Sequence, residues 1–121
     1  MDVPAPTGRA TGCAQLLAAL PDELGDRVAQ RPVTGDPART AAWGDPAVTL
    51  ACGTVKADPT AEVLTLGPSD DQLMSFAIDD VGAATAYTTV GLRVPVTITV
   101  PDAQDATVLV RLVAPLRSTL R

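Results

Sequence analysis

The sequence contains no histidine. No Ser-His-Asp triad and no Cys-His dyad can therefore be assembled from it. With only two cysteines, the common Cys/His zinc sites are short of ligands. Carboxylates, hydroxyls, Lys56 and the two thiols are what remains for chemistry. Aromatic residues are nearly absent as well: Trp43, Phe76 and Tyr87 are the full set. A core built from this chain rests on the packing of Ala, Val and Leu. Nine basic residues face fourteen acidic ones, a net charge of −5. With no basic run to offset that charge, a nucleic-acid footprint is excluded, and so is attraction to an anionic membrane surface. No run of 18 apolar residues exists, so no helical membrane span is expected.

A secretory signal, with its charged n-region and apolar h-region, is not recognisable. Ala10-Thr11-Gly12-Cys13 has the form of the end of a lipoprotein processing site. Its flank, Met1 to Arg9, is short, carries Asp2 and Arg9 and holds two prolines, which does not suit that role.

What is present points to one domain. The chain has 121 residues, of which 46% are apolar, enough to build a single core and too apolar for whole-chain disorder. Residues 1–9 read as an extended Pro-rich leader, and residues 10–121 as a single disulfide-bonded α+β domain. Thr11 is placed to cap a first helix in which Cys13, Leu16, Leu17 and Leu20 fall on one stripe. Pro21 stops it. Leu24 to Arg31 reads as a short polar edge strand. Gly35-Asp36-Pro37 marks a loop, and the Ala-rich stretch 38–42 leads to the turn Trp43-Gly44-Asp45-Pro46.

Val48, Leu50 and Cys52 alternate with smaller residues, the pattern of a half-buried strand. Further strands are expected over Glu62 to Leu66, Leu73 to Ile78 and Thr85 to Val90. Gly67 to Asp71 and Asp79 to Gly82 are read as turns between them. The clearest strand is Val94 to Val100. Asp102 is the expected N-cap of a last helix, with Val108, Leu109, Leu112, Val113 and Leu116 on its apolar face and Pro115 expected to kink or interrupt it. The expected fold is α+β: an antiparallel sheet of about four to five strands, with an N-terminal and a C-terminal helix packed on one face.

Two independent patterns, a helix stripe and a strand's inner face, aim Cys13 and Cys52 at the same core. An even count without CxxC spacing favours a structural bridge. The alternatives are two buried free thiols in a cytosolic protein, or a catalytic or sensing dithiol. A bridge places the domain in an oxidising compartment, outside the cytoplasm.

Three residues form the candidate interaction surface. Trp43 on its Gly/Asp/Pro turn could anchor a partner or stack on a sugar; the competing reading makes it the core's one large plug, with Asp45 capping the turn. Arg93 could hold an anion or simply form a surface ion pair. Asp70-Asp71 and Asp79-Asp80 are paired carboxylates of the kind glycosidases and calcium loops use. Adjacent residues on a strand point to opposite faces, so neither pair converges by itself, and solvated turns are the expectation. No catalytic residue, cofactor or metal ligand is assigned.

Three blocks of sequence are familiar in combination. Cys13 with Leu16 to Pro21 gives a C-x-x-L…LP opening. Ala41-Ala42-Trp43-Gly44-Asp45-Pro46, followed by Val48, Leu50 and Cys52-Gly53, gives the most specific block. Thr88 to Arg93 with Val96 to Pro101 closes the series. In this order the chain resembles the actinobacterial family known as domain of unknown function 3515. The resemblance implies an extracytoplasmic domain tethered by an N-terminal anchor to the outer face of the plasma membrane, and it implies no activity. The expectation is thus a non-catalytic envelope domain that binds an envelope protein or cell-wall component, does not bind nucleic acid, and meets the membrane only through an anchor. A small-ligand binder using the sheet's open face is the alternative, followed by a carboxylate-based glycan hydrolase.

Overall fold

A computed structural model describes residues 2–3, 12–24, 30–31, 34–35, 39–44, 46–54, 60–92, 94–104 and 106–120. The elements, in chain order, are β1 (Asp2–Val3), α1 (Cys13–Ala19), β2 (Gln30–Arg31), β3 (Thr34–Gly35), β4 (Thr40–Trp43), β5 (Val48–Cys52), β6 (Val63–Ser69), β7 (Gln72–Asp80), β8 (Ala84–Val90), β9 (Val96–Pro101), a 3-10 turn (Ala106–Leu109) and α2 (Val110–Leu120). The class is α+β, as expected, and the large sheet is antiparallel throughout.

That sheet has seven strands in the order β2-β4-β5-β9-β8-β7-β6, more than the four to five expected. Strands β6 to β9 form a meander that returns to pair with β5. β1 and β3 pair separately and in parallel, so the described part of the Pro-rich leader is a strand.

Alternation sorts the sheet's two faces. One row across it runs Ala41, Leu50, Ile98, Tyr87, Ile78, and the next on the same face runs Cys52, Val96, Thr89, Phe76, Leu64. These side chains meet Leu16 of α1 and Leu112, Val113, Leu116 and Leu120 of α2 in one core. Phe76 and Tyr87 cross edge to face at 6.5 Å, the arrangement aromatic quadrupoles favour. The opposite face carries Ala42, Thr49, Thr99, Ala86 in one row and Thr40, Ala51, Thr97, Thr88, Ala77 in another. There the hydroxyls satisfy one another: Thr88 with Thr97 at 2.9 Å, Thr97 with Thr54 at 2.9 Å, and Thr65 with Ser75 at 2.8 Å.

The disulfide joins Cys13 and Cys52, their Cα atoms 5.8 Å apart. It ties the start of α1 to the inner face of β5. Arg39 holds the end of the same strand by donating from Nε to the Cys52 carbonyl and from Nη2 to the Gly53 carbonyl.

Several boundaries differ from the sequence reading. β4 is a strand where none was expected, and it includes Trp43, read as part of a turn; all four of its residues are buried, so it lacks the alternation that marks a half-exposed strand. β6 continues through Gly67-Pro68-Ser69 because the β6–β7 pairing gains one extra residue between Leu66 and Ser69. Such a bulge accommodates a proline that a regular ladder would reject. β7 runs on through Asp79 and Asp80, which pair with Ala86 and Thr85 and do not form the turn.

Asp102 lies in a turn after β9, and a 3-10 segment precedes α2, so Asp102 does not cap that helix. Pro115 lies inside α2 without ending it. The carbonyl it leaves without an N–H partner is that of Arg111, an exposed residue, where water can replace the bond. The residue flanking α1 is Gly12, with φ 86° and no side-chain cap; Thr11 lies outside the described residues. So does most of the expected strand 24–31, of which Gln30–Arg31 remains.

Candidate functional site

Of the three residues expected to form a surface, Trp43 is among the described residues. Trp43 is fully buried at the end of β4, opposite Val48. Its Nε1–H donates to the Pro21 carbonyl at 2.9 Å. Of its two readings the structure gives the core plug, because the indole sits on the row of the sheet that faces α1 and its one polar atom is satisfied there. Asp45 and Arg93 lie outside the described residues.

The paired carboxylates do not form a site either. Asp70 and Asp71 are the exposed tip of the β6–β7 hairpin. Asp79 and Asp80 are exposed and fall on opposite faces of β7, and Asp80 accepts a hydrogen bond from the Gly82 N–H at 3.0 Å. Among the described residues no group of three or more carboxylates or cysteines could hold a metal ion.

The structure instead forms a groove where β8 stops. Gly91 has φ 89°, a left-handed conformation that glycine adopts without penalty, and it turns the chain off the sheet after Val90. β7 continues past that point through Met74, Leu73 and Gln72, with no β8 residue opposite them. The space is about 210 Å³ and is lined by Leu73, Met74, Ser75, Val90, Gly91, Leu92 and Arg117.

Hydrogen-bond alternation fixes which backbone groups face it. The Val81 N–H donates to the Ala84 carbonyl, so the odd-numbered residues of β7 pair toward β8. The Ile78 N–H donates to the Glu62 carbonyl, so the even-numbered ones pair toward β6. Leu73 is odd-numbered. Its N–H and C=O are therefore directed to the place β8 has vacated.

Arg117 occupies part of that place. It lies in the last turn of α2, which packs its Leu112, Val113, Leu116 and Leu120 face into the core. Its Nη1 donates to the Leu73 carbonyl at 2.9 Å. The guanidinium thus takes over from the missing strand partner and uses one of its five N–H donors. Leu73 is 41% exposed and Val90 45% exposed; they form an apolar rim around the half-buried cation. The arrangement offers hydrogen-bond donors and aliphatic surface, with no general acid or base in the lining. By sequence alone Arg117 is only a cation near the C-terminal end of a helix, where cations are favoured. Leu73 and Arg117 are 44 residues apart, and no local pattern announces their meeting.

The molecule is thus a disulfide-tied α+β domain, with two helices on one face of an antiparallel sheet and a small cationic groove at the end of one strand. The family model described as "Protein of unknown function (DUF3515)" matches residues 1–121, and the chain belongs to that family. No curated protein and no solved structure matches it. Among the described residues no helix is long and apolar enough to cross a membrane.

Proposed function

We propose that this domain is a non-catalytic, extracytoplasmic interaction module of the cell envelope, tethered at the outer face of the plasma membrane, and that it engages its partner through the groove at the end of β8. The observation that carries this reading is the rim itself: two half-exposed aliphatic side chains, Leu73 and Val90, flank the half-buried Arg117. In a chain of net charge −5, a cation held in place by its own backbone acceptor is a local exception. It favours a partner that brings an anionic group beside an aliphatic one. The disulfide supports the oxidising compartment.

The groove's 210 Å³ falls below the ~300–1,000 Å³ of small-molecule pockets, which weighs against a small-ligand binder. Asp79 and Asp80 point to opposite faces and Asp70 and Asp71 form an exposed hairpin tip, which weighs against a glycan hydrolase.

Site-specific photo-crosslinking tests this. A photoreactive side chain at position 90 should yield discrete adducts in envelope preparations, and one at position 99, on the same face of the sheet but on β9 away from the groove, should not. Adducts formed from position 99 and none from position 90 would move the contact surface along the threonine face, away from the end of β8.

A further inference from the structure

The geometry points to a ligand class for this groove: we propose that it binds the C-terminal carboxylate of an extended peptide whose last side chain is aliphatic. The inference rests on the reading of the groove as a contact site and goes further by naming what enters it. Three observations combine.

First, β7 presents an open strand edge beyond β8. The alternation set by the Val81–Ala84 and Ile78–Glu62 hydrogen bonds directs the Leu73 N–H toward the groove. An incoming main chain can bond to such a group as a strand would. Second, the adjacent Leu73 carbonyl is already taken by Arg117 at 2.9 Å. A chain running past this point would lack that acceptor, whereas a chain ending here meets donors only: the Leu73 N–H and the remaining N–H groups of the guanidinium. A carboxylate is acceptor-only and suits such a set, and a guanidinium can receive it through two parallel bonds. Third, the volume is about 210 Å³ and its walls include Leu73, Val90 and Leu92, which favours one aliphatic terminal residue. The rest of the peptide would lie outside, along the exposed rim.

The charge complementarity is specific to this place. Asp70 and Asp71 lie at the neighbouring hairpin tip, and among the described residues the hydrogen bond of Arg117 is to the Leu73 carbonyl.

The test uses N-acetyl-Ala-Ala-Leu as the free acid and as the C-terminal amide, titrated into isotopically labelled protein and followed by amide and Arg Nε–H resonances. The free acid should shift Leu73, Ser75, Val90 and Arg117, and bind about tenfold more tightly than the amide, the loss of one charge-assisted pairing. Acetate and inorganic phosphate, titrated separately, should bind about tenfold or more weakly than the peptide acid. Arg117→Gln should remove the preference for the acid. Val90→Glu, which places a negative charge on the rim and leaves the Leu73 cap intact, should weaken the acid and spare the amide.

The proposal is overturned if the amide binds as well as the acid. It is also overturned if acetate or phosphate alone matches the peptide, if the shifts map elsewhere, or if millimolar peptide shifts nothing. Those outcomes leave the crosslinks from position 90 standing, so the failure of the ligand class and the failure of the contact surface are distinguishable.

Discussion

Trp43→Ala is expected to destabilise the domain by about 3–5 kcal/mol, the range for removing a buried tryptophan or phenylalanine side chain. Trp43 heads the fully buried side chains in size in a core with little other aromatic mass. The disulfide ties α1 to β5 and strand pairing ties β5 to β4, so collapse around the cavity is restricted. The Pro21 carbonyl also loses the indole N–H at 2.9 Å. Trp43→Phe retains most of the ring and separates the two contributions; it should cost about 1–3 kcal/mol, set by the unsatisfied carbonyl and the smaller volume. Urea titration monitored by circular dichroism measures both. A loss below about 1 kcal/mol for Trp43→Ala would contradict the assignment of Trp43 as the core plug, as would red-shifted, readily quenched indole emission.

Loss of the disulfide is expected to cost about 3–4 kcal/mol. Cys13 and Cys52 are separated by 39 residues, and closing a loop of that length restricts the unfolded chain by about this amount in the chain-entropy account. Both cysteines are buried, at 1% and 0% exposure, so the reduced side chains stay packed as small apolar groups. The destabilisation should therefore appear with little change in native amide spectra. Intact mass before and after reduction establishes the bridge in the isolated protein, and denaturation with and without reductant gives its contribution. Equal stability in the two states would mean that the bridge adds no constraint beyond what the leucine stripe of α1 already provides.

Parts of this fold were legible in the sequence for identifiable reasons. β5 and β9 alternate cleanly because one face of each meets the helices while the other carries threonine and alanine. The convergence of Cys13 and Cys52 followed from two periodicities, 3.6 and 2, that agree about which side is inside. β4 was not legible: Thr40, Ala41, Ala42 and Trp43 are buried on both faces, and a short Ala-rich stretch carries no period. The extensions of β6 and β7 were read as turns because Gly-Pro and Asp-Asp are turn residues by composition. A bulge and an exposed strand end accommodated them instead.

The candidate site was the least legible part, since it consists of an absence, the end of β8 at Gly91, filled by a residue of a distant helix. The Trp-Gly-Asp-Pro block drew the functional reading toward Trp43 because it is the most distinctive stretch of the chain. Its tryptophan proves to be structural.

The central claim is that the molecule meets its partner at the groove formed by Leu73, Val90 and Arg117. Retention of the purified domain on envelope fragments tests it most directly, comparing wild type with Leu73→Asp, Arg117→Gln and, as a control in the core, Trp43→Phe at a temperature where all remain folded. The account predicts that Leu73→Asp and Arg117→Gln each lower retention about tenfold or more and that Trp43→Phe leaves it unchanged. Equal retention of wild type and both groove variants would contradict it.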